Sequence, residues 1–203
     1  MEPFEKSFLN SKFLNINYLN YGNDRQKLLY EEITKLRLIE SFSIFNPIIV
    51  GTIPIEIDIP SSDVDIIIDL SKGDILIYFK EFAKNFRNFI LEIKINKISE
   101  NSFIAQFQTE NFKFEIFGEF KETSKQFGFV HMVIENEILN LLGQDFKNSI
   151  KKLKYKGFKT ELAFCVLLNI NEDPYGFLYN LKNLKMNDFS KEINKIYQRA
   201  RYG

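Results

Sequence analysis

The chain has 203 residues, 45% hydrophobic and 27% charged, enough for one sizeable core or a core domain with a smaller appendage. Its 27 Lys and Arg balance its 27 Asp and Glu, so there is no global basic field to gather nucleic acid. No window approaches the roughly 18 apolar residues of a membrane span, no signal peptide is visible, and one cysteine excludes an internal disulfide, so a cytoplasmic location is expected.

In chain order, the first twenty or so residues read as a short helix and a loop ending near Gly22-Asn23. Leu28, Leu29, Ile33 and Leu36 fall at helical spacing and predict a helix from Asp24 to about Arg37, capped by Asn23 or Asp24. A second short helix is expected over Ile39 to Phe45, and Asn46-Pro47 then launches a strand through Ile48-Ile49-Val50 that ends at Gly51. Ile53, Ile55, Ile57 and Ile59 alternate with Pro54, Glu56 and Asp58, which reads as either an edge strand or an extended loop. Pro60-Ser61 turns the chain into a strand from Asp63 to Leu70, and a helix from about Gly73 to Phe86 follows.

Three strands then form a meander: one over Phe89 to Ile95, one from Phe103 to Gln108, and one from Phe112 to Gly118. Turns are expected at Ser99-Glu100-Asn101 and Thr109-Glu110-Asn111. The rest reads as helical: about Phe127 to Leu142, Phe146 to Tyr155, Thr160 to Leu168, Pro174 to Asn183 and Phe189 to Arg199, with Gly143 and Gly157 at helix ends. Two regions are expected: 1–120, a mixed α/β core with N-terminal helices, and 121–203, a helical C-terminal region. Cys165, inside an apolar stretch, is expected to be a buried free thiol.

The chemistry concentrates in Val50-Gly51-Thr52 and Ser62-Asp63-Val64-Asp65. Residues i and i+2 of a strand share one face about 6.6 Å apart, so Asp63 and Asp65 set two carboxylates side by side. Hard oxygen ligands suit Mg²⁺ or Mn²⁺, and a glycine turn with a hydroxyl offers a place for phosphate, so the pattern reads as a metal–nucleotide site. A solvated strand start is the plain alternative.

Gly51-Thr52, the twelve-position step, and Ser62-Asp63-Val64-Asp65 resemble the signature of the polymerase-β-like nucleotidyltransferase superfamily. The wider phrases, with Phe114-Glu115-Ile116-Phe117-Gly118, His131-Met132, Glu135 and Lys159-Thr160-Glu161-Leu162-Ala163-Phe164, resemble a bacterial domain-of-unknown-function branch of it. The resemblance implies an α+β fold: a nucleotidyltransferase-like mixed β-sheet with helices on one face, followed by a helical C-terminal half. It implies transfer of a nucleotide from an NTP to a hydroxyl, using two metal ions and three carboxylates. Asp63 and Asp65 would then bind metal, Glu115 would complete the cluster, and Gly51, Thr52 and Ser62 would hold the nucleotide. Glu119 shares Glu115's face and is the fallback if the register is shifted.

The chain departs from the family pattern at two places and leaves several readings open. Threonine stands where serine is commoner, and the gap carries Glu56 and Asp58 where small and basic residues are usual. The acceptor is open among a small molecule, a protein hydroxyl and an RNA end; a non-catalytic nucleotide- or metal-binding regulatory protein is the alternative. His131 and Glu135, one helical turn apart, read as a substrate-contacting pair or a structural hydrogen bond, and Arg25 and Gln26 as ligand contacts or solvent-exposed residues. Lys151, Lys152, Lys154, Lys156 and Lys159 read as a solvated face or a phosphate-binding cluster.

Overall fold

A computed structural model describes residues 11–98 and 102–202. The expected first helix in part, and the turn at Ser99-Glu100-Asn101, lie outside the described residues. The described residues divide into two compact units, one of residues 12–54, 63–98 and 102–129, the other of residues 11, 55–62 and 130–202.

The first unit opens on α1 (Asn17–Asn20) and α2 (Asp24–Lys35). The Asn23 side chain accepts from the Gln26 N–H at 3.0 Å while the Gln26 side chain accepts from the Asn23 N–H at 3.0 Å, a reciprocal cap that satisfies two donors a helix start leaves orphaned. The short α3 (Leu38–Ser41) and a 3₁₀ turn at Ser43–Phe45 take the place of the single helix expected there. Strand β1 (Ile48–Val50) leads through a turn to β2 (Val64–Asp69), and α4 (Ile75–Asn85) starts where the Asp74 carboxylate accepts from the Leu76 N–H at 3.0 Å. Strands β3 (Glu92–Ile98), β4 (Ser102–Gln108) and β5 (Lys113–Glu119) form the meander.

The sheet order is β1-β2-β5-β4-β3. β2 pairs antiparallel with β1 and parallel with β5, and the meander pairs are antiparallel. One face carries Val64, Ile66, Ile68, Phe114, Ile116, Phe103, Ala105 and Phe107, all buried. Rings bind that face to α4: Phe79 lies 5.6 Å from Phe103, and Phe82 lies 5.3 Å from Phe107. Phe107 and Phe114, directly opposite across β4 and β5, stack at 4.6 Å with planes 5° apart. The abundance of phenylalanine therefore has a packing role here, since each buried ring removes a large apolar area from water.

The stretch after β1 is not a strand. Residues 51–56 form turns and 57–59 are irregular, and Ile53, Pro54, Ile55, Ile57 and Asp58 are all buried, so the alternation does not sort into an inner and an outer face. Glu56 takes the left-handed conformation, φ 60°. β3 begins at Glu92, later than the apolar pattern suggests, although the Leu91 N–H already donates to the Gln108 carbonyl at 2.7 Å.

The second unit is helical: most of α5 (Phe127–Tyr155), then α6 (Thr160–Leu167), α7 (Pro174–Asn180) and α8 (Met186–Tyr202). The two helices expected around Gly143 meet there, at φ 78° and ψ −169°, a conformation that glycine adopts without steric cost. Asp173 caps α7 by accepting from the Gly176 N–H at 2.7 Å, with Pro174 in the first turn. Phe146 packs against Phe164 at 5.7 Å and Tyr197 at 5.4 Å. Cys165 is a buried free thiol whose burial pushes its pKa up to about 11, which leaves it unreactive. Among the described residues no helix is long and apolar enough to cross a membrane.

Candidate active site

Gly51 ends β1 in the left-handed region at φ 85°, and a Cβ built there would run into Asp65 Oδ2. The backbone conformation favours glycine, and the missing side chain leaves room for the Asp65 carboxylate to lie against the turn. Antiparallel pairing sets Val50 opposite Asp65, which is why the turn and the acid meet.

On the other side of β2, parallel register sets Asp65 opposite Glu115. Glu115 in turn lies opposite Gln106 on β4, and the Gln106 Nε2 donates to Glu115 Oε2 at 2.8 Å. Asp65, Glu115 and Gln106 thus form a polar row across three strands, on the face opposite the aromatic core. Asp63, exposed and just ahead of β2, lines a cavity of about 330 Å³ with Gln106, Gln108, Glu92, Lys94 and Lys113. Glu119, the fallback, lies opposite Asp69, whose Oδ1 accepts from the Ser71 hydroxyl at 2.6 Å and N–H at 2.9 Å.

Thr52 is half-buried in the turn after Gly51. Ser62 closes a turn of its own: its Oγ accepts from the Ile59 N–H at 3.0 Å, and its N–H donates to the Ile59 carbonyl at 2.9 Å. Glu56 forms an ion pair with Lys147 at 2.7 Å, so the acidic gap that the sequence presents carries its own counter-charge.

The carboxylate donors suit a hard divalent cation by chemistry, and Asp65 and Glu115 are register partners, with Asp63 two residues ahead of Asp65 and outside β2. Among the described residues no three His, Cys, Asp or Glu side chains are drawn together closely enough to hold a metal ion. Glu115 is turned onto Gln106 instead. Mg²⁺ sites commonly rest on one or two carboxylates and take further ligands from substrate phosphates, which suits such a partial set.

Two glutamines take on roles here: Gln106, which the sequence does not single out, and Gln26, whose burial overturns the solvent-exposed reading. Gln106 leaves no sequence signal, since only the register of β4 against β5 brings it to Glu115. Gln26 was legible in part, because Asn23-x-x-Gln26 has capping-box spacing. It is 2% exposed, and its Nε2 donates to the Ile53 carbonyl at 2.9 Å and the Pro54 carbonyl at 3.1 Å. Arg25 stacks its guanidinium over Phe112 at 5.4 Å.

His131 meets groups from two other helices. Its Nε2 lies 3.1 Å from the Tyr175 carbonyl and its Nδ1 lies 3.8 Å from Glu161 Oε1, because α6 and α7 present those groups to the ring. Of the lysine cluster, Lys154 donates to Thr160 Oγ1 at 3.0 Å, while Lys152, Lys156 and Lys159 are exposed.

Burial lifts the Glu135 carboxyl well above the ordinary carboxylate range, with the Glu161 charge adding to the rise and Lys154 opposing it. Burial lowers the His131 imidazole, against the pull of Glu161. A raised acid binds its proton more tightly in the folded chain, so its contribution is intact below the unfolded pKa and declines as pH rises toward the folded value. His131 acts oppositely: its contribution is intact above the ordinary imidazole pKa and declines as pH falls through its lower folded value. Glu135→Gln is therefore expected to gain stability relative to wild type as pH rises from about 5 to 8, a window that starts just above the unfolded carboxylate pKa. Urea unfolding across that window measures it, and equal pH slopes for the two proteins would contradict it.

The chain is similar to a cytoplasmic RNA terminal U-transferase, with 15% identity over 88% of this chain and 51% of that one, at a TM-score of 0.50. It is similar to the Cid1 poly(U) polymerase bound to MgGTP, with 13% identity over 88% of this chain and 54% of that one, at 0.53. It is also similar to the polymerase core of TRAMP, an RNA surveillance complex, with 12% identity over 95% of this chain and 62% of that one, at 0.51. The chain spans about half the length of the first two. No curated protein matches the sequence significantly. The five-stranded mixed sheet with its helices thus has a nucleotidyltransferase-like fold. Within it, residues 31–181 match the model of a domain of unknown function, and the chain belongs to that family, DUF4269.

Proposed function

We propose that the chain is a metal-dependent nucleotidyltransferase that moves a nucleotide from an NTP to a hydroxyl of an acceptor. The observation that carries this is the juxtaposition of Asp65 and Glu115 in parallel register beside the left-handed Gly51 turn. Asp63, Asp65 and Glu115 would hold Mg²⁺ or Mn²⁺, which when bound neutralises charge on the transferring phosphate. Gly51 lets its backbone approach phosphate oxygens, and the Thr52 hydroxyl and neighbouring amides can donate to them. Ser62 is proposed as a further nucleotide contact.

The acceptor oxygen attacks the α-phosphorus, pyrophosphate leaves, and Glu115 takes the acceptor's proton as the new P–O bond forms. Gln106 holds Glu115 Oε2 and so fixes the orientation of the carboxylate. The polar cavity beside Asp63 and Gln106 gives an acceptor a way to this face. The proteins that share the fold include a U-transferase and a poly(U) polymerase, so UTP is the first nucleotide to try and an RNA end one of three acceptor classes. A cytoplasmic location is part of the same proposal.

Thermal unfolding with Mg²⁺ or Mn²⁺ and each NTP tests it. Ligand at a hundred times its dissociation constant stabilises by about 2.7 kcal/mol, which for a chain of this size raises Tm by roughly 5–10 °C. A metal-dependent rise with at least one NTP is expected, and no rise with any would overturn the reading. The second reading, a nucleotide-binding protein without turnover, is favoured by the Glu115–Gln106 hydrogen bond and the partial metal-ligand set. Pyrophosphate release in the presence of candidate acceptors separates the two.

A further inference from the structure

We infer that Gln26 is a positioning residue: it ties the start of α2 to the Gly51–Pro54 turn and thereby sets the shape of the proposed phosphate loop. The inference rests on the nucleotidyltransferase reading for its purpose, but its geometry stands within the sheet unit alone.

One buried amide does two jobs. Its carbonyl oxygen accepts from the Asn23 N–H and completes the helix cap, while its NH₂ donates to the carbonyls of Ile53 and Pro54. Those carbonyls belong to residues directly after Gly51-Thr52, in a stretch with no strand ladder to satisfy it. A buried carbonyl without a donor is costly, so the turn is held to the conformation in which both reach Gln26. Ile53, 1% exposed, is pinned further by the apolar core.

Gly22 supports the arrangement. A Cβ at that position would run into the Gln26 Oε1, so only glycine lets the amide lie where it does. The sequence thus places a glycine, a cap residue and a glutamine at Gly22, Asn23 and Gln26 to serve a turn that begins at Gly51. A glutamate at the third helical position would cap equally well. Glutamate has no NH₂ to give to two carbonyls, so the loop contact is what selects an amide here.

Two variants separate the roles. Gln26→Glu keeps the acceptor for the cap and removes the donors; Gln26→Met removes the donors without adding a charge. Asn23→Ala, which breaks the other half of the cap, is the control for helix stability alone. Hydrogen exchange at the Gly51, Thr52 and Ile53 amides and the Kd for the magnesium complexes of UTP, ATP, CTP and GTP are measured on all four proteins.

Exchange at these amides is expected to quicken about tenfold or more in both Gln26 variants, as the loss of two hydrogen bonds implies, and to stay near wild type in Asn23→Ala. The Kd of the nucleotide that binds wild type is expected to rise about tenfold in the Gln26 variants only. Unchanged exchange in the Gln26 variants overturns the inference, as does quicker exchange with unaltered Kd. If wild type binds no NTP, the functional reading fails, while the exchange result still decides whether Gln26 holds the turn.

Discussion

Asp65→Ala is expected to abolish the metal- and nucleotide-dependent rise in Tm while leaving the unliganded protein within a few degrees of wild type. Asp65 is only half-buried, so truncation opens no core cavity. It also removes a negative charge directly opposite Glu115, and like charges across a strand pair are unfavourable. Asp65→Asn, closer in shape, should lose the same response, which attributes it to charge. A shift of full size retained in both variants would remove Asp65 from the site.

Phe114→Ala is expected to be the most destabilising single change considered, at about 3–5 kcal/mol, the usual range for emptying a buried aromatic position. The ring is 1% exposed, stacks on Phe107 at 4.6 Å and meets Phe112 at 6.1 Å. The corresponding fall in Tm is on the order of 10 °C for a chain of this length. Because Phe114 adjoins Glu115 and lies opposite Val64, the loss also loosens the pairing that sets the two acids in register. Urea titration measures it, and a loss below about 1 kcal/mol would show that neighbouring rings refill the space.

Much of this architecture was legible because it is written in local signals. Helix starts at Asp24, Ile75 and Pro174 carry their caps in the preceding residue. The two later strands of the meander alternate between Phe or Ile and polar residues on the half-buried sheet they build. Gly143 announced its break because few residues adopt its conformation. The Ile53–Ile59 stretch left strand and loop open, and it is a loop: the period of two is real, yet Pro54 and Asp58 are buried as well, so the alternation marks no sheet face.

For the candidate site, what could be read was the residue types and the Gly51-to-Asp63 spacing. Glu115 could be picked by its face in the Phe112–Gly118 alternation, beside the Asp63–Leu70 strand, but its exact register against Asp65 could not, since it depends on β5 slotting between β2 and β4. Gln106 acquires meaning only through that insertion, and the partner of His131 only through the arrival of α6 and α7. Long-range pairing, not composition, decides such contacts.

The strand order also bears on how the protein reaches its native state. β3, β4 and β5 follow one another through short connections, so the meander closes small loops and can form early. β2 must instead find β5 across the whole intervening α4 and meander, the costlier closure and the slower one. A chain caught before that step would hold Glu115 on an ordered ribbon with Asp65 still elsewhere. The acidic pair is thus assembled by the late, high-contact-order event, and its formation can serve as a reporter of complete folding.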